Sequence, residues 1–210
     1  MSIGTRNESV PGTERVAAFS DGVFAVVATL LVLDLHVPAI PAHPTTVALA
    51  HAFRPVLFNL LTFGLSFFFV VIVWVNHHQI FHSLAVADRG LLWANNLLLF
   101  WMCLLPFPTA LLGAYPQLPL AAMALSGSLF AASIAFLLIV RHAEKAELYE
   151  SHVDTITRRT IMRRGWFGPP AFFCCVILGA FSPPLSTAAM LAVMFFFAVP
   201  TRIVSTEDPR

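Results

Sequence analysis

The sequence predicts an all-α membrane protein, a six-helix transmembrane bundle that forms one integral membrane domain over residues 1–210. Three observations carry this. Only 11% of the residues are charged and 58% are hydrophobic, whereas a soluble domain carries about 25% charged residues. The mean hydropathy is +0.81, and the apolar residues fall into runs suited to crossing about 30 Å of hydrocarbon, parted by short polar or proline-rich breaks. The arginines and the one lysine alternate with those runs, so that an even number of crossings gathers nearly all of them on one side.

The elements follow in order. Helix 1 is expected over about 14–36, with Thr13 as its cap and Pro38 and Pro41 beyond its end. Helix 2 covers about 55–81 and is rich in phenylalanine. Helix 3, about 89–113, is bent or shortened by Pro106 and Pro108. Tyr115-Pro-Gln-Leu-Pro119 forms a tight turn. Helix 4 covers about 120–141 and continues as a polar helix through Glu150. A basic loop with Arg158, Arg159, Arg163 and Arg164 leads to helix 5, about 166–181, which Pro183 and Pro184 end. Helix 6 covers about 185–203.

With six spans, Arg6, Arg15, Arg89, Arg141, Lys145, the four loop arginines, Arg202 and Arg210 share one side, and Arg54 alone falls on the other. This places the N- and C-termini of a multi-pass cell-membrane protein in the cytoplasm. The net charge of +1 and the lack of a dense basic stripe outside one loop speak against a nucleic-acid partner. The basic loop reads first as a topology determinant and second as a contact for anionic membrane lipid. Cys103, Cys174 and Cys175 lie in apolar runs, two of them adjacent, so no disulfide framework or zinc pattern is indicated and buried thiols are expected. Residues 1–14 are polar, and the first apolar run contains Asp21 and Asp34 with no small-residue cleavage site after it, which is not a signal-peptide pattern. No nucleophile–base set, metal cage or phosphate loop is visible, so neither an enzyme nor a cofactor is expected.

Helix 1 holds the most information. Arg15, Ser20 and Asp21 lie at or inside the span, where an ionisable group costs several kcal/mol unless solvated or paired. A span beginning only at Gly22 would leave too few residues before Leu35 to cross the bilayer. Arg15 and Asp21 are six apart and point in different directions on a straight helix, so their partners must come from elsewhere. Helix 2 offers Trp74, Asn76, His77, His78 and His82, with Trp74, His77 and His78 on one face. Further along helix 1, Val26, Thr29 or Leu30, and Leu33 share a face. From spacing alone such a stripe is either helix packing or a pore wall.

The segment Arg15, Phe19, Ser20, Asp21, followed by Gly22-Val23-Phe24-Ala25, resembles the Arg-x-x-x-Phe-Ser-Asp signature of the transmembrane protein 175 family of potassium-permeable channels. The resemblance implies a homotetramer in which helix 1 of each subunit lines a central pore conducting potassium ions. It places an apolar constriction at Val26, where family members commonly have isoleucine or leucine, with Leu30 and Leu33 further along and Thr29 as a polar layer. It also implies a polar network between the signature residues and Trp74, His77 and His78. The alternative for the histidines is a position at the aqueous interface near Arg89 with no specific role. His78 and His82 are spaced as a metal-ligand pair, but no closed ligand set accompanies them. No Thr-Val-Gly-Tyr-Gly filter is present, so selectivity would rest on ring width, dewetting and the threonine layer. Asn95 and Asn96 read as a packing hydrogen bond between helices. Asp34 is either a cation-attracting group at the outer mouth or a solvated helix end. The alternative function is a proton- or ion-coupled secondary transporter, for which broken midplane helices and an internal repeat would be the marks.

Overall fold

The structure is a computed structural model that describes residues 12–38 and 45–198, without the side chains of residues 54 and 55. It is all-helical apart from one isolated bridge between loops. Helix α1 (Thr13–Leu30) tightens into a 3-10 turn (Leu31–Asp34), and α2 (Thr46–Phe81) returns. Helices α3 (Arg89–Leu104) and α4 (Pro106–Ala114) run on as the third apolar unit, followed by α5 (Pro119–Lys145), α6 (Thr155–Phe181) and α7 (Pro183–Ala198). Thr13–Asp34, Val56–Phe81, Arg89–Ala114, Pro119–Lys145 and Thr155–Phe181 are each long and apolar enough to cross a membrane, and α7 is a shorter apolar helix. Residues 199–203 of the expected last helix, and Arg6, Arg202 and Arg210, lie outside the described residues.

The boundaries differ from the sequence reading where caps compete with hydropathy. Helix α2 starts at Thr46 because the Thr45 hydroxyl accepts the Ala48 N–H at 3.1 Å, and Pro55 then sits inside the helix rather than at its start. The third crossing is interrupted at Leu105, just ahead of Pro106, which has no N–H to continue the ladder. Helix α6 begins eleven residues earlier than expected, at Thr155 rather than residue 166, since Asp154 accepts the Thr157 N–H at 2.6 Å. The basic segment is thus helical, because charge ends a membrane span but does not end a helix. Conversely, α5 stops at Lys145 instead of running through Glu150. Leu148 N–H reaches Ala143 O at 3.0 Å and Glu147 N–H reaches Glu144 O at 3.3 Å, a Schellman closure with Glu147 at φ 53°.

Helices α5 and α6 pack most closely. A Cβ on Gly179 would meet the backbone of Met123 and Ala122 at 3.3–3.4 Å, and one on Gly168 would meet Ser133 Cβ at 3.3 Å. Small residues let two backbones approach where lipid offers no hydrophobic drive to pack. Ser66 and Thr109 hydroxyls meet at 2.6 Å between α2 and α4. Cys175 is buried, but Cys103 and Cys174 are exposed, because the outward face of a membrane helix is as apolar as its core and hydropathy does not separate the two.

One end of the bundle is tied by its loops. Leu84 bridges Tyr149, Ala85 N–H donates to Leu148 O and Glu150 N–H to Ser83 O, both at 2.9 Å. Arg158 lies 5.1 Å over the Tyr149 ring. His142 Nε2–H reaches both Asp88 oxygens at 2.8 Å, with Gly90 directly against the imidazole. Glu14 and Arg15 line a recess with Ala85–Ala87 at this same end. Arg15, Arg89, Lys145 and Arg158 are therefore gathered at one end by chain pairing.

Two outcomes follow. Glu147→Gly relieves the left-handed backbone and should raise stability by about 1 kcal/mol in thermal or denaturant unfolding in detergent. Burial opposes ionisation of Asp88, but hydrogen bonds from Leu91 N–H and His142 outweigh it and hold its carboxyl below the ordinary 3.8. A depressed carboxyl stabilises fully above the unfolded value and loses that contribution as pH falls from about 5 through the folded value. The acid-unfolding curve of Asp88→Asn should therefore be shallower than that of the parent, and superimposable curves would discount the carboxylate.

Candidate functional site

Helix α1 has two unlike faces. Val16, Ser20, Phe24, Val27 and Leu31 are buried, spaced by four, four, three and four. On the opposite side Phe19, Gly22, Ala25, Val26, Thr29, Leu30 and Leu33 are exposed in the single chain. Val26 is 55% exposed, Leu30 42% and Leu33 66%, which is far from core packing within one subunit. The 3-10 turn overlays positions i and i+3, which keeps Leu33 in line with Leu30. The Thr29 hydroxyl donates to Val26 O at 2.7 Å. Its one proton is spent on the helix, so the oxygen lone pairs are what the exposed face presents.

The buried face is anchored by a chain of hydrogen bonds across three helices. His77 Nε2–H of α2 donates to Asn95 Oδ1 of α3 at 2.8 Å. Asn95 Nδ2 donates to Ser20 Oγ of α1 at 2.9 Å, and the Ser20 hydroxyl donates to Val16 O at 2.8 Å. Each link uses one donor and one acceptor, and the sequence of donors holds His77 as the Nε2–H tautomer. Ser20, Asn95 and His77 are each at most 1% exposed. The His77 ring stacks on Phe81 at 4.1 Å and meets the Phe24 edge at 5.4 Å. Beside this chain, Trp74 Nε1–H donates to Asp21 Oδ1 at 2.8 Å, giving the helix 1 carboxylate its partner on α2.

The remaining residues singled out in the sequence stand apart. Arg15 and Phe19 are exposed, and Arg15 makes no ion pair among the described residues. Among the described residues His78 makes no hydrogen bond to helix 1; its ring lies 5.7 Å from Trp74 and 4.3 Å from His82. Asn96 is exposed, and Asp34 O is bonded by His36 Nδ1 at 3.0 Å. Among the described residues, no three His, Cys, Asp or Glu side chains converge as a metal site.

Asn95 is the middle link, a role the sequence reading left as general packing. Spacing does not single it out, because Leu92, Asn96, Leu99 and Cys103 recur at the same intervals as Leu91, Asn95, Leu98 and Met102; it is the burial of the latter stripe that selects Asn95 over Asn96. Asn95→Ala should cost about 1–2 kcal/mol by leaving His77 and Ser20 without their shared partner. Asn96→Ala should stay within about 0.5 kcal/mol. Equal thermal shifts for the two variants would remove the anchor.

Comparison with known proteins bears on this arrangement. Residues 15–106 match the family model described as the endosomal/lysosomal potassium channel TMEM175. A protein of Chamaesiphon minutus named a potassium channel is 36% identical over 193 residues, covering 89% of this chain and 94% of that one. Another from Streptomyces collinus, also named a potassium channel, is 35% identical, covering 90% and 95%. The crystal structure of a lysosomal potassium-selective channel TMEM175 homolog from Chamaesiphon minutus superimposes with a TM-score of 0.77 at 34% identity, covering 89% of this chain and 96% of that one.

Proposed function

The chain belongs to the TMEM175 family, and from that membership we propose that it is a passive potassium channel, assembled from four copies with α1 of each lining a central pore. The observation that carries the reading is the Val26–Leu33 stripe. It is apolar and exposed in one subunit, on the very helix whose other face is pinned by buried hydrogen bonds. The names of the two bacterial relatives support potassium as the permeant ion.

In this reading four copies of Val26, Leu30 and Leu33 form stacked apolar rings with the Thr29 oxygens between them. An apolar ring supplies no ligand to replace an ion's hydration shell, so it gates by dewetting. The Thr29 hydroxyl, its proton committed to Val26 O, offers acceptor lone pairs to a passing cation. Asp34, at the far end of the stripe, raises the local cation concentration at the outer mouth. Arg15, Asp21 and Trp74 sit towards the opposite end; the first marks the cytoplasmic side, and the Asp21–Trp74 bond helps hold the helix at its depth. The termini are then both cytoplasmic.

The test is potassium flux from liposomes loaded with a potassium gradient and a reporter dye. Purified, folded protein should pass potassium without a coupling ion, and folded protein that passes none sinks the channel reading. Val26→Asn and Leu33→Asn should each raise the flux several-fold by wetting the constriction. Unchanged flux in both would remove the stripe from the pore.

A further inference from the structure

On the side of the bundle away from α1, helices α2, α5, α6 and α7 enclose a crevice. Its walls are apolar, with Phe69 from α2, Phe136 from α5, Phe172 from α6 and Met194 from α7. Its polar groups are few and include Arg164 with the amides Asn76 and Gln79. The cavity volume is about 80 Å³, and at about 10–15 Å³ of such space per water-sized group it holds roughly six methylenes. Arg164 is the last charge before the uncharged run 165–181 of α6, so it stands at the level where hydrocarbon meets headgroups. Its guanidinium donates to Phe196 O at 3.2 Å and lies 5.5 Å over the Phe196 ring, which holds the side chain over this part of the bundle. On two of the same helices, Phe167, Phe173 and Ile177 of α6 and Phe195 of α7 are exposed, as suits contact with lipid.

We propose that this crevice binds one anionic phospholipid per subunit, with an acyl segment between α2, α5, α6 and α7 and the phosphodiester at Arg164. The charge complementarity is specific. A guanidinium and amide N–H groups are donors suited to phosphate oxygens, and a zwitterionic headgroup adds a cation that the arginine repels. The assignment does not depend on what α1 conducts.

Native mass spectrometry of the protein exchanged into equimolar phosphatidylglycerol and phosphatidylcholine tests it. About one phosphatidylglycerol per subunit should be retained in preference to phosphatidylcholine. Arg164→Gln should weaken that retention about fivefold, the worth of one arginine at an anionic lipid surface, and Arg164→Lys should largely restore it. Ile72→Trp, which fills the crevice from α2, should abolish retention with the arginine intact. Arg163→Gln, an exposed neighbour, should behave as the parent. Equal retention of the two lipids overturns the proposal. So does loss in Arg164→Gln with none in Ile72→Trp, which would describe a headgroup contact without a chain site. Displacement of the lipid by equimolar oleate would transfer the site to a free fatty acid and equally overturn it. Circular dichroism of each variant separates lost binding from lost fold.

Discussion

Hydrocarbon supplies no hydrogen-bond partners, so a polar side chain inside a membrane bundle must find one within the protein. Ser20, Asn95 and His77 Nε2 meet that demand together, and in doing so they tie α1 to α3 and α3 to α2. Three donors and three acceptors are matched in a fixed order, which specifies how each helix is turned about its axis. For α1 the consequence reaches well beyond Ser20. A helix with Ser20, Phe24, Val27 and Leu31 turned inward must turn Val26, Thr29, Leu30 and Leu33 outward. The polar anchor and the apolar stripe are therefore two faces of one rotational setting. The Asp21–Trp74 bond adds a second constraint, on depth as well as rotation.

The remainder of the bundle supports this setting. Helices α5 and α6 approach closely through Gly168 and Gly179, and dispersion between near-touching backbones holds them where no hydrophobic drive exists. The loop pairing at one end, from Leu84 and Ala85 to Leu148 and Tyr149, links the α2–α3 and α5–α6 connections outside the spans. Asp88 serves there twice, as the cap of α3 and as the partner of His142. The crevice lined by Arg164 opens on the opposite flank from α1, so a conduction path and a lipid contact would use different surfaces of one subunit.

Much of the fold was legible in the sequence, and the failures have physical causes. The repeated membrane-length apolar helices followed from run length, which the bilayer imposes on any chain. The ends of α2 and α6 were misread because hydropathy reports where lipid begins, whereas a helix begins where a cap satisfies its first amides, as Thr45 and Asp154 do. The early end of α5 rests on a left-handed Glu147, a conformation that Gly would have announced and Glu does not. Trp74 could be named beside Asp21 through family resemblance. His77 could be named too, but not that its link to helix 1 passes through Asn95 from a third helix.

The sequence by itself determined that the chain crosses a membrane repeatedly, that its basic residues alternate with the apolar runs, and that helix 1 carries both an ionisable segment and an apolar stripe. Those properties depend on composition and on spacing along one helix, which the chain carries locally. Only the tertiary structure decided which side of that helix is buried, which asparagine of the adjacent pair completes the anchor, and which cysteines face outward. In a membrane bundle the inward and outward faces are almost equally apolar. Periodicity can therefore draw a stripe without saying which way it points, and the answer waits on polar partners supplied by other helices.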